Sequence, residues 1–451
     1  TDSVTISYLF TRDDGYQDGE EYTIPILPQG TELAQGTLGI LSDAKTVKVQ
    51  SGEDEEVMVS ITDNQLDIYK ESVNYLTGYK YLCNEQLASK LIGLLAYQQY
   101  MQSKGEKVKV DKAIRSIIHR LTNHQNKHQL WSWWGNSENT SFWMSAHILR
   151  ALKMAQDAGY PVELNLNGLK VEYAHTSPYR GMKLEDIEIV HALHEWKVEA
   201  DYSSAVRLLE PFVRQLEQKE DSLANRNKYY RPLSYLKEKL LLWEIKQQVD
   251  SVNVGDSVRP YLKKDLLGGV YCDDGRRTYY WEGNQLINTL IAYRIIKNDS
   301  SLWKLKENMQ LYILRTKEHG WNTYQASSAV ATVLTDLLAD SGGMSGTSVS
   351  VSGKDHQRIT DFPYHTRLTA GDSLLISKTG KEPLLYSVYS MKRVMDARQS
   401  DAFKVEATLD EDSLVAGVPV TLTVTLQVKQ EGAQYVMLEV PVPAGCSYAS
   451  K

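Results

Sequence analysis

The periodicity of the apolar residues changes twice along this chain of 451 residues. Residues 1–62 contain short alternating, β-branched segments separated by Gly, Pro and Asp, a pattern that predicts strands. From about Asp67 to Asp340 the apolar residues instead follow helical spacing, as at Leu87, Leu91 and Leu94. Strand-like segments then return. The sequence therefore predicts a long helical region between two β regions.

The helical region contains roughly eleven predicted helices joined by short loops, which suits antiparallel helical hairpins. A loop of Gly and aromatic residues precedes a helix with small residues early at 131–135, 268–271 and 320–322. Because one supersecondary unit recurs, we expect an α/α toroid, in which helical hairpins pack around a centre. The Gly- and Ser-rich run 341–348 predicts a flexible hinge after it.

Composition excludes some classes of function. The net charge of -7 and a pI near 5.9 argue against nucleic acid or an anionic membrane as the main partner. The three cysteines, Cys83, Cys272 and Cys446, are far apart and have neither zinc spacing nor the density of a disulfide scaffold. No apolar run is long enough to cross a bilayer.

The segment 79–86 places a thiol and a carboxamide three residues apart, at Cys83 and Gln86, where a predicted helix begins. Residues at this spacing are neighbours on one helical turn, so the Cys83 thiolate could attack the Gln86 side-chain carbonyl and expel ammonia. The resulting thioester would be a stored acylating agent for an amine or a hydroxyl. The alternative is a buried cysteine at the start of a core helix, since free Cys packs as a small hydrophobe.

With these segments in order, the chain resembles the bacterial branch of the α2-macroglobulin and complement thioester family. The thioester region of that family reads approximately Tyr-Pro-Tyr-Gly-Cys-x-Glu-Gln and is followed by a helix. Tyr79, Tyr81, Cys83, Glu85 and Gln86 match this pattern. The resemblance extends over nearly the whole chain.

Two positions depart from the pattern of the family. Lys80 stands where proline is usual, and Leu82 stands where glycine is usual. Glycine can adopt backbone conformations that leucine disfavours, so Leu82 bears on whether the thioester forms. Segments 19–30, 320–326 and 440–445 also resemble parts of the family, namely the strand before the thioester domain, the closing hairpin of the toroid and a macroglobulin-like turn.

The resemblance implies a multidomain α and β fold. Residues 1–62 would be the first half of a CUB-like β-domain, and 63–342 an α/α toroid thioester domain inserted into that β-sandwich. Residues 343–400 would be the second half of the CUB-like domain. Residues 401–451 would be the start of a macroglobulin-like β-sandwich, which we expect to be truncated.

The resemblance also implies a function: the C-terminal fragment of a bacterial α2-macroglobulin-like protease inhibitor that captures attacking proteases covalently. Cys83 would be the leaving thiol and Gln86 the acyl donor to lysine amines or hydroxyls, with Glu85 supporting the turn and Tyr79 and Tyr81 shielding the bond. This is a single-use acylation, so we expect a protease trap and not an enzyme, with neither cofactor nor metal. We expect a periplasmic or extracellular location, with any lipid anchor in an N-terminal part that precedes this chain.

Two other interpretations stay open. A family member whose thioester has lapsed would serve as a scaffold or interaction module. An α/α toroid is also a glycoside hydrolase architecture, which needs two inward carboxylates. Asp273 and Asp274, with Glu138 or Glu282, are the only suggestive set, although adjacent Asp residues before Gly more often form a turn.

The clustered tryptophans and the paired histidines are each considered for a functional role. Four tryptophans lie close together in the sequence: Trp131, Trp133, Trp134 and Trp143. They could shield a thioester from water or bind sugar, but we interpret them as packing between hairpins, because Trp is mostly buried. Two histidine pairs have helical or near-helical spacing: His124 with His128, and His191 with His194. Neither pair has a third ligand placed by the sequence, so we expect no metal site, and no histidine is assigned a role in acyl transfer.

Overall fold

The computed structural model describes most of the chain, and all statements below concern that part. The described residues are 3–26, 31–41, 46–52, 56–62, 65–80, 82–103, 105–169, 183–265, 268–278, 284–317, 320–334, 336, 348–353, 356–369, 371–380, 384–394, 402–411, 413–415, 417–429, 436–438, 440 and 446–447. The predicted hinge up to residue 347 and the predicted turn at 441–445 lie outside these residues.

The strands fall before, within and after the helical region. They are β1 Ser3–Thr11, β2 Gln17–Pro25, β3 Thr31–Leu41, β4 Thr46–Gln50, β5 Val57–Thr62, β6 Leu262–Lys264, β7 Val270–Cys272, β8 Ser348–Ser352, β9 His356–Ile359, β10 Tyr364–Leu368, β11 Ser373–Thr379, β12 Leu384–Val394, β13 Phe403–Leu409 and β14 Leu422–Val428.

The helices occupy the middle of the chain, as the apolar periodicity predicts. They are α1 Gln65–Gly78, α2 Asn84–Ser103, α3 Asp111–Asn123, α4 Phe142–Asp157, α5 Asn167–Leu169, α6 Asp186–Glu195, α7 Tyr202–Arg226, α8 Leu236–Val249, α9 Gly255–Val258, α10 Gln285–Ile296, α11 Trp303–Thr316 and α12 Thr323–Ala329. A π-helical turn, Val330–Leu334, continues α12. Among the described helices, none is long and apolar enough to cross a membrane.

Alternate helices contact one another in a closed circle. Helix α2 packs on α4, α4 on α6, α6 on α8, α8 on α10, α10 on α12, and α12 again on α2. Helices α1 and α3 pack against α2, α7 against α8, and α11 against α10. The sequence explains the two layers: α10 is buried on nearly all sides, whereas α3 buries only one apolar face, Ile114, Ile117, Ile118 and Leu121.

Two four-stranded sheets are built from strands on both sides of the helical region. Their orders are β10-β5-β12-β3 and β4-β11-β8-β9, and the described strand pairs within them are antiparallel. In β5 every second residue is buried, and Val59 lies opposite both Thr366 and Val388. Val57, Val59, Val349 and other residues of both sheets form one apolar cluster. The helical region is thus an insertion within one β body.

Backbone contacts group residues 1–34 with 391–451 as one unit and 35–390 as another. The first unit contains the antiparallel hairpins β1–β2 and β13–β14, and the second contains the helices and both four-stranded sheets. The first hairpin is therefore grouped apart from β4 and β5. The domain limits drawn from the sequence, beginning with 1–62, stay predictions.

Candidate functional site

Cys83 lies at the start of α2, in the position that caps the helix N-terminus. Its backbone carbonyl accepts a hydrogen bond from the N–H of Leu87 at 2.9 Å, which opens the helical ladder. The side chain is only 3% exposed and packs within the core of the helical region. The location of Cys83 therefore agrees with the alternative interpretation, a buried cysteine at the start of a core helix. Its chemistry depends on Gln86.

A hydrogen bond connects Cys83 with Gln86. The backbone N–H of Cys83 donates to Oε1 of Gln86 at 3.0 Å. The contact corresponds to one half of a capping box, in which the side chain of the third helical residue reaches back to the N–H of the capping residue. It holds the Gln86 carbonyl close to Cys83 and provides an N–H donor for negative charge that would develop on that oxygen.

Burial raises the pKa of the Cys83 thiol, and the backbone N–H groups of Gln86 and Glu85 only partly offset that effect. The neutral thiol is consequently the favoured form at neutral pH. A buried, protonated thiol reacts slowly with reagents from solution.

Glu85 anchors the first turn of α2. Its buried carboxylate accepts hydrogen bonds from Oγ of Ser89 at 2.7 Å and from Oγ1 of Thr323 at 2.8 Å. The Ser89 hydroxyl also lies 3.0 Å from Nε2 of His147 and 3.0 Å from Oγ of Ser327. These contacts connect α2 with α4 and α12. No motif in the sequence singles out this buried polar cluster.

The environment of Glu85 predicts a pH-dependent effect of Glu85→Gln. Burial raises the pKa of Glu85 above its ordinary value of 4.5, although Ser89 and Thr323 lower it in part. A carboxyl whose pKa is raised by folding stabilises the fold below its ordinary pKa and loses that contribution as the pH rises through the folded pKa. We therefore expect the variant to gain stability relative to the wild type as the pH rises from 4.5 through the raised pKa of folded Glu85. Urea unfolding midpoints measure this; a constant difference across the range would contradict it.

Asn84, between the motif residues Cys83 and Glu85, ties α2 to a neighbouring loop. Its side-chain amide donates to the carbonyls of Ser132 at 2.8 Å and Gly135 at 2.9 Å, and its backbone N–H donates to the Trp133 carbonyl at 3.0 Å. Because both amide protons are used, Oδ1 is the acceptor in the 2.6 Å contact with Nδ1 of His124. That contact places the proton of neutral His124 on Nδ1.

Replacing Asn84 with alanine should destabilise the loop beside the site. The substitution leaves two carbonyls and a histidine N–H without their partner, so we expect a loss of about 2 kcal/mol or more in unfolding free energy. Hydrogen exchange in residues 131–135 should accelerate as well. Asn123→Ala is the matched control, since Asn123 is exposed and contacts only His119 in the described residues. Equal effects of the two variants would rule out the anchoring role.

The four tryptophans divide into buried and exposed residues. Trp131 is fully buried, and its Nε1 donates to the Leu121 carbonyl at 2.7 Å, as expected of packing. Trp133 is 44% and Trp134 64% exposed, contrary to that interpretation, because they lie on the loop held by Asn84 and outside the apolar core. The Trp133 ring contacts Trp143 edge-on at 5.8 Å. The shielding role that the sequence allowed for this cluster stays a prediction, and Trp133 is the member whose backbone lies beside Asn84.

The structure also places the other motif positions. Tyr79 is half-buried and its ring meets Tyr75 edge-on at 5.7 Å, whereas Tyr81 lies outside the described residues. Leu82 is half-buried against the helical core. It is not among the described non-glycine residues that have a positive φ. The backbone at this position therefore does not require glycine.

The carboxylates considered for glycoside hydrolysis have ordinary local partners. Asp274 accepts from the backbone N–H of Arg276 at 3.1 Å, which is a turn contact, and Asp273 pairs with a lysine. Glu138 is exposed and pairs with another lysine. Glu282 lies outside the described residues. The described contacts agree with the turn interpretation.

The histidine pairs are not assembled into a common site. His191 faces Glu244, with Nε2 2.8 Å from its carboxylate, and His194 meets the Tyr202 ring edge-on. His128 is exposed. Among the described residues, no group of three or more His, Cys, Asp or Glu side chains is arranged to hold a metal ion.

Comparison with solved structures gives bacterial α2-macroglobulins. Trypsin-activated α2-macroglobulin from Escherichia coli has a TM-score of 0.55 and 15% identity over 90% of this chain and 28% of that chain. The E. coli protein activated by porcine elastase has a TM-score of 0.50 and 15% identity over 92% of this chain and 38% of that chain. The chain thus spans less than two-fifths of either. No protein-family model and no curated protein matches the chain.

At this identity the likeness shows the fold alone. The described architecture, with helices and several sheets, is the mixed α and β fold found in the corresponding part of bacterial α2-macroglobulins.

Proposed function

We propose that this chain is part of a bacterial α2-macroglobulin-like protease trap whose Cys83 and Gln86 form an internal thioester. The hydrogen bond from the Cys83 backbone N–H to the Gln86 side-chain carbonyl carries the proposal, because it holds the carboxamide close to Cys83 in a buried helix cap. The fold likeness supports it, since the two similar E. coli structures are of proteins activated by trypsin and by elastase. Target proteases are accordingly the proposed partners.

Formation of the bond begins at the Cys83 sulfur. After losing its proton, Sγ attacks the side-chain carbonyl carbon of Gln86, and the Cys83 backbone N–H stabilises negative charge on Oε1. The C–N bond of the carboxamide then breaks. The nitrogen takes up the proton and leaves as ammonia, and a thioester between Cys83 and Gln86 remains.

When the thioester captures a target, the Cys83 sulfur is the leaving group instead of the nucleophile. A lysine amine of the target attacks the same carbonyl carbon, the C–S bond breaks, and Gln86 becomes amide-linked to the target while Cys83 regains its proton. Burial raises the pKa of the Cys83 thiol, and a thiol with a higher pKa leaves more slowly. The buried thioester should therefore persist, and exposure to water should accelerate its aminolysis. Each molecule acts once, so it is not an enzyme with turnover.

In this proposal the closed circle of helices is the α/α toroid that carries the thioester. The two four-stranded sheets, built from strands on both sides of the insertion, form the CUB-like domain. Shielding of the bond from water by Tyr79 and Trp133 is part of this proposal; Tyr79 is half-buried, and the Trp133 backbone carbonyl accepts from the N–H of Asn84, next to Cys83. The chain alone is not expected to trap a protease, because it spans less than two-fifths of the similar proteins.

Counting thiols tests the proposal. Freshly purified protein, denatured in the presence of iodoacetamide, should be alkylated at Cys272 and Cys446 and not at Cys83. Treatment with methylamine before denaturation should make Cys83 alkylatable and leave a methylamide on Gln86. Immediate alkylation of Cys83 without methylamine would instead support the scaffold interpretation, in which the thioester has lapsed.

A further inference from the structure

A small cavity lined by several helices contains the positively charged residues Arg150, Lys237 and Arg294. Its volume is about 60 Å³, and its walls come from α2, α4, α8, α10, α12 and the π-helical turn. The polar residues in the lining are His147, Arg150, Lys237, Arg294, Tyr324, Ser328 and Thr332. No aspartate or glutamate is among the described lining residues.

The side chains of Arg150, Lys237 and Arg294 are held in place by carboxylates that do not line the cavity. Nε and Nη2 of Arg294 donate to the two oxygens of Glu244 at 2.8 and 2.7 Å. Nε of Arg150 donates to Glu195 at 2.9 Å, and Lys237 pairs with Glu188. Such pairing fixes the side chains, so their remaining donors have defined positions.

Two of those donors have no partner. Within the described residues, no hydrogen bond is formed by Nη1 of Arg150 or by Nη1 of Arg294, and both residues line the cavity. Lys237, with three donors, is paired in the described residues only with Glu188. Unused charged donors around one cavity favour an occupant that accepts hydrogen bonds and carries negative charge.

We propose that this cavity binds one small monovalent anion, such as chloride, between Arg150, Lys237 and Arg294. The volume of about 60 Å³ exceeds the roughly 10–15 Å³ that one water molecule needs on the same measure. This space accommodates a halide or nitrate. A bound anion would connect α4, α8 and α10 at the centre of the helical circle. This site is independent of Cys83 and Gln86.

Halide-dependent thermal unfolding tests the site. In sodium chloride, compared with sodium gluconate at the same ionic strength, we expect a saturable rise of about 3 °C in the unfolding midpoint. The double variant Arg294→Met with Glu244→Gln removes one cation together with its partner and should abolish the rise. The control Lys246→Met with Glu210→Gln removes a partly exposed pair between α8 and α7 and should keep the rise.

Crystals of the unaltered chain grown in bromide provide a second measurement, which does not depend on the folding of any variant. We expect an anomalous peak between the Nη1 atoms of Arg150 and Arg294. Absence of a peak in the cavity would overturn the proposal. An equal chloride response in the double variant, or a response that follows ionic strength without saturating, would overturn it as well.

Discussion

Replacing Cys83 with serine should reduce covalent attachment of a fluorescent primary amine to this protein by more than about 100-fold. An alkoxide is a much poorer leaving group than a thiolate, and the weaker nucleophile would not displace ammonia from Gln86. In the wild type, peptide mapping should find the amine on Gln86. Gel fluorescence and mass spectrometry of the peptide that contains residues 83–86 measure the effect.

Cys272→Ser is the matched control for that experiment. Cys272 is also fully buried in the helical region, and burial raises the pKa of its thiol to about 12. It has no carboxamide held against it in the described contacts; its backbone N–H donates to Thr289. The control should therefore label like the wild type. Equal labelling of both variants would mean that the amine attaches elsewhere, and the thioester would be rejected.

Replacing Lys237 with methionine should destabilise the helical region by about 3 to 5 kcal/mol. Lys237 is 7% exposed and pairs with Glu188, which is 5% exposed. Loss of the ammonium leaves a buried carboxylate whose remaining cation, Arg150, lies 3.6 Å away. Chemical unfolding, monitored by the circular dichroism signal of the helices, measures the change in the free energy of unfolding.

The double variant Lys237→Met with Glu188→Gln separates charge from packing. If the loss arises from an uncompensated carboxylate, the second substitution should recover about half of it or more, because the remaining amide carries no charge. No recovery would show that the aliphatic part of Lys237, and not its charge, supports the fold.

Much of the architecture could be predicted from the sequence because local patterns determine it. The spacing of apolar residues changes from alternating to helical near residue 65 and returns to alternating before Ser348. These two changes locate the helical insertion. The contact between Cys83 and Gln86 could also be predicted, since it needs only one helical turn.

Contacts between distant segments could not be predicted in this way. Asn84 occupies the variable position of the motif, and its role depends on Ser132 and Gly135, about fifty residues away. The cations of the cavity come from separate helices that otherwise appear as ordinary buried segments. The grouping of residues 1–34 with 391–451 likewise depends on contacts across nearly the whole chain.

The intact mass of the freshly purified chain tests the central claim most directly. The thioester predicts a mass lower than that of the sequence by one ammonia, and methylamine should add the mass of one methylamine to that species. In the Cys83→Ser variant the mass should equal that of its sequence and should not respond to methylamine. A wild-type mass equal to that of the unmodified sequence, unchanged by methylamine, would contradict the account.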